Sequence, residues 1–230
     1  MEKALHVAIV LAAGRGSRMN SKVPKQYLLL EGRPLVCHCL DTLEASPRID
    51  QIVLVVGVGE VEYARNEIVR AYSYKKISAV VEGGTERYLS VSYALDYLDG
   101  RLPNGSYVYI HDGARPYLEE DLLERLYQTV CKEGACIAAV PVKDTIKQVN
   151  KDKKIEETPE RSRLWMAQTP QVFSYALIRD AYRRLLEEGK TEGITDDAQV
   201  IERMDGQAVT IVEGSYRNRK ITTPEDLTAG

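Results

Sequence analysis

Short, unbroken apolar runs recur through the first two thirds of the chain: Val7–Leu11, Ile52–Val56, Ile77–Val81, Tyr107–Ile110 and Cys136–Val140. Runs without polar alternation predict strands covered on both faces, as in a parallel sheet. Amphipathic stretches between them predict helices over Leu35–Leu43, Val61–Tyr72, Ser90–Leu98 and Asp121–Val130. Further helices are expected over Tyr175–Glu187 and Asp196–Met204, and a strand over Ala208–Val212. Strand–helix repetition of this kind implies an α/β chain with a Rossmann-like, doubly wound, mostly parallel sheet.

One stretch breaks the rhythm. From Thr145 to Thr169 the chain is charged and strand-prone, with Ile146–Val149 and Leu164–Met166 flanking a polar tip at Lys151–Lys154. A protruding β-arm at 145–169 is therefore expected on a single domain spanning residues 1–230. Exposed strand edges on such an arm are a liability unless a partner pairs with them.

Composition narrows the functional classes. With 230 residues, 28% charged and 44% hydrophobic, the chain has ordinary globular make-up. Thirty-one basic against 34 acidic residues give a net charge of −3, so overall charge gives no hint of nucleic-acid or membrane binding. No apolar run approaches the roughly 18 residues of a membrane span. Cys37, Cys39, Cys131 and Cys136 form no CxxC pair, and the expectation is free thiols in the cytoplasm.

The segment Leu11-Ala12-Ala13-Gly14-Arg15-Gly16-Ser17-Arg18-Met19 follows the first strand directly. Glycines such as Gly14 and Gly16 let backbone N–H groups approach phosphate oxygens. It is neither a GxxxxGK[ST] loop nor a GxGxxG fingerprint, since Met19 stands where the third glycine belongs. Arg18 comes four residues after Gly14, and Lys25 follows within Pro24-Lys25-Gln26. Two fixed cations beside such a loop make a triphosphate clamp, and Arg18 and Lys25 are candidate catalytic residues.

His111-Asp112-Gly113-Ala114-Arg115-Pro116 closes another apolar strand, where ligands gather in open α/β sheets. Asp112 is a candidate ligand for magnesium, or another hard divalent cation, bridging phosphate oxygens. Arg115 suits a phosphate through its planar fork. His111, His6 and His38 are read as structural, because an attacking phosphate monoester, with a second pKa near 6, needs no general base.

Together with Glu82-Gly83-Gly84-Thr85-Glu86-Arg87, Pro141-Val142-Lys143-Asp144-Thr145, Thr169-Pro170-Gln171, Thr195-Asp196-Asp197-Ala198 and Lys220-Ile221-Thr222, these segments resemble sugar-phosphate nucleotidyltransferases. More narrowly they resemble the 2-C-methyl-D-erythritol 4-phosphate cytidylyltransferase family of the non-mevalonate isoprenoid pathway. The resemblance runs from about Ala8 to Leu227. It implies CTP and a sugar-alcohol phosphate as substrates, with Ala12, Ala13, Gly84, Thr85 and Ser90 against the cytidine. Asp112, Arg115, Thr145, Thr169, Thr195, Asp196 and Lys220 are implied at the sugar-alcohol phosphate, with Lys220 also catalytic. Arg161 and its arm are implied to cross to a second subunit of a homodimer. An N-cap is the rival role for Thr195, Asp196 and Asp197, compatible with a substrate role, and a solvated charge cluster is the rival for Lys220. Rival functions are a ribitol 5-phosphate cytidylyltransferase and a non-catalytic nucleotide-binding regulator; a nicotinamide oxidoreductase is disfavoured by Met19 and by the clustered cations.

Overall fold

A computed structural model describes residues 3–14 and 23–228, with only the backbone of residue 228. In chain order the strands and helices are β1 (His6–Ala12), β2 (Leu29–Leu30), β3 (Arg33–Pro34), α1 (Leu35–Ala45), β4 (Gln51–Val56) and α2 (Val61–Tyr63). They continue with β5 (Ile77–Glu82), α3 (Arg87–Leu98), β6 (Tyr107–Asp112), α4 (Glu120–Glu133), β7 (Ala135–Pro141), β8 (Gln148–Val149) and β9 (Ile155–Glu157). The last are β10 (Trp165–Ser174), α5 (Tyr175–Glu187), α6 (Asp197–Met204), β11 (Thr210–Glu213) and α7 (Pro224–Thr228). The helix expected over 61–72 is one α turn followed by π-helical winding through Ala64–Arg70.

Seven strands form one sheet in the order β11-β7-β10-β6-β1-β4-β5. β1 runs parallel to β4 and β6, β4 to β5, and β11 to β7, while β10 runs antiparallel to both β6 and β7. Period-two alternation divides each buried strand between two cores. Ala8, Val10, Ile52 and Leu54 face α1 and α4 beside Leu40, Leu43, Leu122 and Leu126. Val7, Ile9, Val53 and Val55 face α3, α5 and α6 beside Leu95, Ile178, Leu185 and Ile201. Burying each such side chain contributes about 1.5–3 kcal/mol, so helices on both faces are what hold the sheet. Among the described residues no helix is long and apolar enough to cross a membrane.

The arm departs from expectation at its C-terminal end. Trp165, Met166 and Ala167 pair with Pro141, Val140 and Ala139 of β7, so they belong to the central sheet. The hairpin at the tip is shorter, with Gln148 opposite Glu157 and Val149 opposite Ile155. The excursion from the sheet is therefore 142–164, not 145–169. A proline speaks against a central strand because it removes a ladder donor. Here the register shifts between Ala167 and Gln171, so Pro170 sits at an irregularity that tolerates the loss.

Candidate active site

β1 lies between β4 and β6, and the chain reverses its direction of travel across the sheet there. Crevices open at the carboxyl ends of strands at such switch points. A cleft of about 490 Å³ lies there, lined by Ala12, Ala13 and Gly14 at the end of β1 and just past it, Gly84, Thr85 and Ser90 around the start of α3, and Asp112 at the end of β6. Lys25 and Lys220 line the same cleft. Gly16 and Arg18 lie outside the described residues.

Gly83 and Ser90 set the wall after β5. A Cβ on Gly83 would stand 2.6 Å from Ala13 Cβ, 2.7 Å from Ser90 Oγ and 3.1 Å from Val55. Only glycine lets the backbone approach β1 this closely. Gly84 N–H donates to Ser90 Oγ (3.1 Å), whose hydroxyl in turn donates to the Glu86 carbonyl (3.2 Å).

Lys25 opens a single 3-10 turn over Lys25–Tyr27, preset by the φ of −54° at Pro24. Its neighbours anchor it. Gln26 Nε2 and the Tyr27 hydroxyl both donate to Glu60 Oε2, at 2.9 and 3.0 Å, and Gly57 N–H adds a third donor at 3.3 Å. Burial and that carboxylate push the Tyr27 phenol far above its usual range, so it stays a donor. Lys25 Nζ donates to the Ile221 carbonyl at 2.9 Å.

Asp112 is the electrostatic centre. It is 7% exposed, which by itself would push its carboxyl up; the Arg87 and Lys220 cations override that and hold it far below the usual carboxylate range. Lys220 Nζ lies 2.7 Å from one oxygen and Arg87 Nε 3.3 Å from the other. Its backbone N–H donates to Thr169 Oγ1 at 3.0 Å. Thr169 Oγ1 pairs with His111 Nδ1 at 3.1 Å, and His111 Nε2 with the Arg115 carbonyl at 3.1 Å. A carbonyl only accepts, which assigns the His111 proton to Nε2 and makes Thr169 the donor to Nδ1. Burial lowers His111 to about 4, against partial opposition from the Arg115 carbonyl and Asp112. It is a neutral strut.

Several expected contacts have other occupations. Thr169 is buried and supports Asp112 from behind, away from the cleft lining. Arg115 donates to the Asn218 carbonyl at 2.7 Å and more weakly to that of Ala167 at 3.5 Å; its Nε is buried without a partner. Asp196 is the N-cap of α6, accepting from Gln199 N–H at 3.0 Å and from Gln171 at 2.9 Å. Thr195 bonds Gln199 Oε1 at 3.1 Å. The capping role is thus displayed by Asp196, while Thr195 stands just before the cap. Thr145 and Arg161 are exposed on the arm, where Arg161 donates to the Lys143 carbonyl at 3.0 Å.

Sequence reasoning missed Arg87, Glu60 and Asp197. Arg87 is the first residue of α3, where the helix dipole disfavours a cation. The expected helix begins only at Ser90, so no sequence signal marks this cation, which Asp197 and Asp112 hold in place. Among the described residues no group of three His, Cys, Asp or Glu could cage a metal. Asp112, a buried carboxylate that lines the cleft, fits instead a magnesium ion that keeps most of its ligands as water and phosphate.

The family model of 2-C-methyl-D-erythritol 4-phosphate cytidylyltransferase (IspD) matches residues 6–230. A protein of that name from Lachnospira eligens is 44% identical over 223 residues, covering 97% of this chain and 96% of that relative. One from Alkaliphilus oremlandii is 47% identical over 219 residues, covering 95% and 90%. Among solved structures, the 4-diphosphocytidyl-2C-methyl-D-erythritol synthase of Anaerococcus prevotii superposes with a TM-score of 0.84 at 33% identity, over 98% of this chain and 93% of that one. The Francisella tularensis 2-C-methyl-D-erythritol 4-phosphate cytidylyltransferase gives 0.82 at 32%, over 98% and 97%.

Proposed function

The chain belongs to the 2-C-methyl-D-erythritol 4-phosphate cytidylyltransferase family, and from that membership we propose how its own residues carry out the transfer. It is a nucleotidyltransferase that joins CTP and 2-C-methyl-D-erythritol 4-phosphate in isoprenoid precursor synthesis. An oxygen of the substrate phosphate attacks the α-phosphorus of CTP in line. The bond from that phosphorus to the β-phosphate oxygen breaks, and pyrophosphate leaves. The attacking monoester is already ionised near neutrality, so no base is required. This agrees with the buried, neutral His111.

The observation carrying the reading is that Lys25, Asp112 and Lys220, from three distant parts of the chain, line one cleft beside the β1 glycine turn. Positioning and charge neutralisation are the principal demands of phosphoryl chemistry. Lys25, Lys220 and, from outside the described residues, Arg18 neutralise the phosphates. Ala12, Ala13, Gly14 and Gly16, with Gly84, Thr85 and Ser90, hold the nucleotide. Arg115, with its partnerless Nε, is assigned to the sugar phosphate, and so are Thr145, Arg161, Thr169, Thr195 and Asp196. Asp112 would hold a magnesium ion arriving on the triphosphate, which would supply further neutralisation of phosphate charge.

The arm is proposed to pair two copies of the chain; exposed Ile146, Val149 and Ile155 support this. Light scattering that finds a monomer would remove the pairing. Pyrophosphate release across CTP, ATP, GTP and UTP, with methylerythritol, ribitol and other sugar-alcohol phosphates, tests the activity. Release is expected only for CTP with methylerythritol phosphate. Release with ribitol 5-phosphate instead, or CTP binding without turnover, would replace the reading.

A further inference from the structure

Asp197 has no exposed surface, yet its carboxylate is held by three donors. Arg87 Nη1 and Nη2 approach its two oxygens at 2.9 and 2.7 Å, and the Tyr182 hydroxyl donates at 2.6 Å. Gln171 fixes the start of α6, its Oε1 accepting from the N–H groups of Asp197 and Ala198 at 2.8 and 3.0 Å. A carboxylate buried this deeply is strongly unfavourable unless paired, so the Arg87 contact is a requirement of the fold.

The pairing also fixes what Arg87 presents to the cleft. Fork-to-fork contact occupies both terminal nitrogens and sets the plane of the guanidinium. With the plane so set, it is Nε that faces Asp112, at 3.3 Å from Oδ1, and Oδ2 remains with Lys220. The result is a line of alternating charge, Asp197–Arg87–Asp112–Lys220, running from the core to the cleft. Asp197 does not line the cleft, whereas the other three members do.

We infer that Asp197 is a positioning residue for the transfer. By holding both terminal nitrogens of Arg87, it keeps the guanidinium from closing fork-on-fork over Asp112 and displacing Lys220. The inference rests on the cytidylyl-transfer reading of the cleft.

Asp197→Asn keeps the volume and removes the charge. In the full-length variant, kcat is expected to fall roughly tenfold to a hundredfold, as misplacement of a catalytic group does. CTP affinity by calorimetry should stay within about twofold, and so should the kcat of Asp197→Asn/Arg87→Gln relative to Arg87→Gln alone. A crystal structure of Asp197→Asn should show Arg87 turned onto both oxygens of Asp112. Folded Asp197→Asn with wild-type kcat, multiplying losses in the double variant, or an unmoved Arg87 would overturn the inference. Should Asp197→Asn fail to fold, Tyr182→Phe decides: loss of one donor is expected to lower kcat by roughly threefold, and an unchanged kcat overturns the role. Wild-type protein inert with CTP and methylerythritol phosphate would sink the functional reading alone, while the crystallographic comparison still decides where Arg87 goes.

Discussion

Lys220 sets its ammonium 2.7 Å from Oδ2 of Asp112, while the carbonyl of the very next residue, Ile221, receives Lys25 at 2.9 Å. A two-residue stretch therefore engages the acid from one side and a second cation from the other. The Ile221 N–H is itself tied to the Ala114 carbonyl at 2.8 Å. Lys220→Met should lower kcat by roughly a hundredfold to a thousandfold, the usual effect of deleting a transition-state donor. Steady-state pyrophosphate release measures it, and wild-type turnover would end the catalytic assignment.

Lys25→Ala and Arg115→Ala should separate turnover from affinity. Lys25→Ala is expected to lower kcat by roughly a hundredfold or more with little change in KM for CTP. Arg115→Ala should act mainly on KM for the sugar phosphate. Equal effects of both variants on both constants would show that the two cations do not have separate roles.

Gly83→Ala brings a methyl group against Ala13 and Ser90, both at the nucleotide end of the cleft. Overpacking of this kind typically costs about 1–3 kcal/mol. The displaced wall should also weaken CTP binding. Urea denaturation and calorimetry read the two effects, and a variant with unchanged CTP affinity would separate this wall from the nucleotide.

Thr169→Val removes the hydroxyl between the Asp112 N–H and His111 Nδ1. Two buried polar groups lose their partner, at a cost of about 1–3 kcal/mol each. Thr169→Ser should recover most of that stability. Denaturation midpoints decide, and a serine variant as weak as the valine variant would point to packing of the methyl group instead.

His6 gives the fold a pH dependence remote from the cleft. Burial lowers its pKa from 6.5, against Asp50, which raises it, and with Lys3 and Arg48, which lower it further. Its Nδ1 lies 2.9 Å from the Tyr109 hydroxyl and its ring stacks on Tyr107 at 5.0 Å. A depressed folded pKa means the unfolded chain takes the proton first, so this stabilisation is full above pH 6.5 and lost as the pH falls through the folded value. The melting temperature of His6→Gln should therefore change less between pH 7.5 and pH 5 than that of the wild type. Parallel pH curves for the two proteins would refute the assignment.

The five strands signalled by unbroken apolar runs are all present; four are buried on both faces, which leaves no room for polar alternation, while β5, at the sheet edge, is only partly covered. β10 was not legible for the opposite reason. Gln168, Thr169, Pro170 and Gln171 interrupt its middle, yet all four are buried. Each of the three polar side chains has a specific partner: Gln168 the Ser215 carbonyl, Thr169 Asp112 and His111, and Gln171 the start of α6. Site duties had overwritten the strand pattern. Lys25, Asp112 and Lys220 were readable from residue type and motif. Asp197 was not, since its neighbour Asp196 accounts for the local helix cap and nothing in the spacing reveals the distant Arg87.

β7 ends at Pro141, and β10 begins at Trp165 directly opposite it. The excursion thus leaves and re-enters the sheet through a single doorway, with both jambs fixed by the same ladder. Residues 142–164 amount to a cassette whose tip, between Thr145 and Arg161, can lengthen or shorten without re-threading the sheet it springs from.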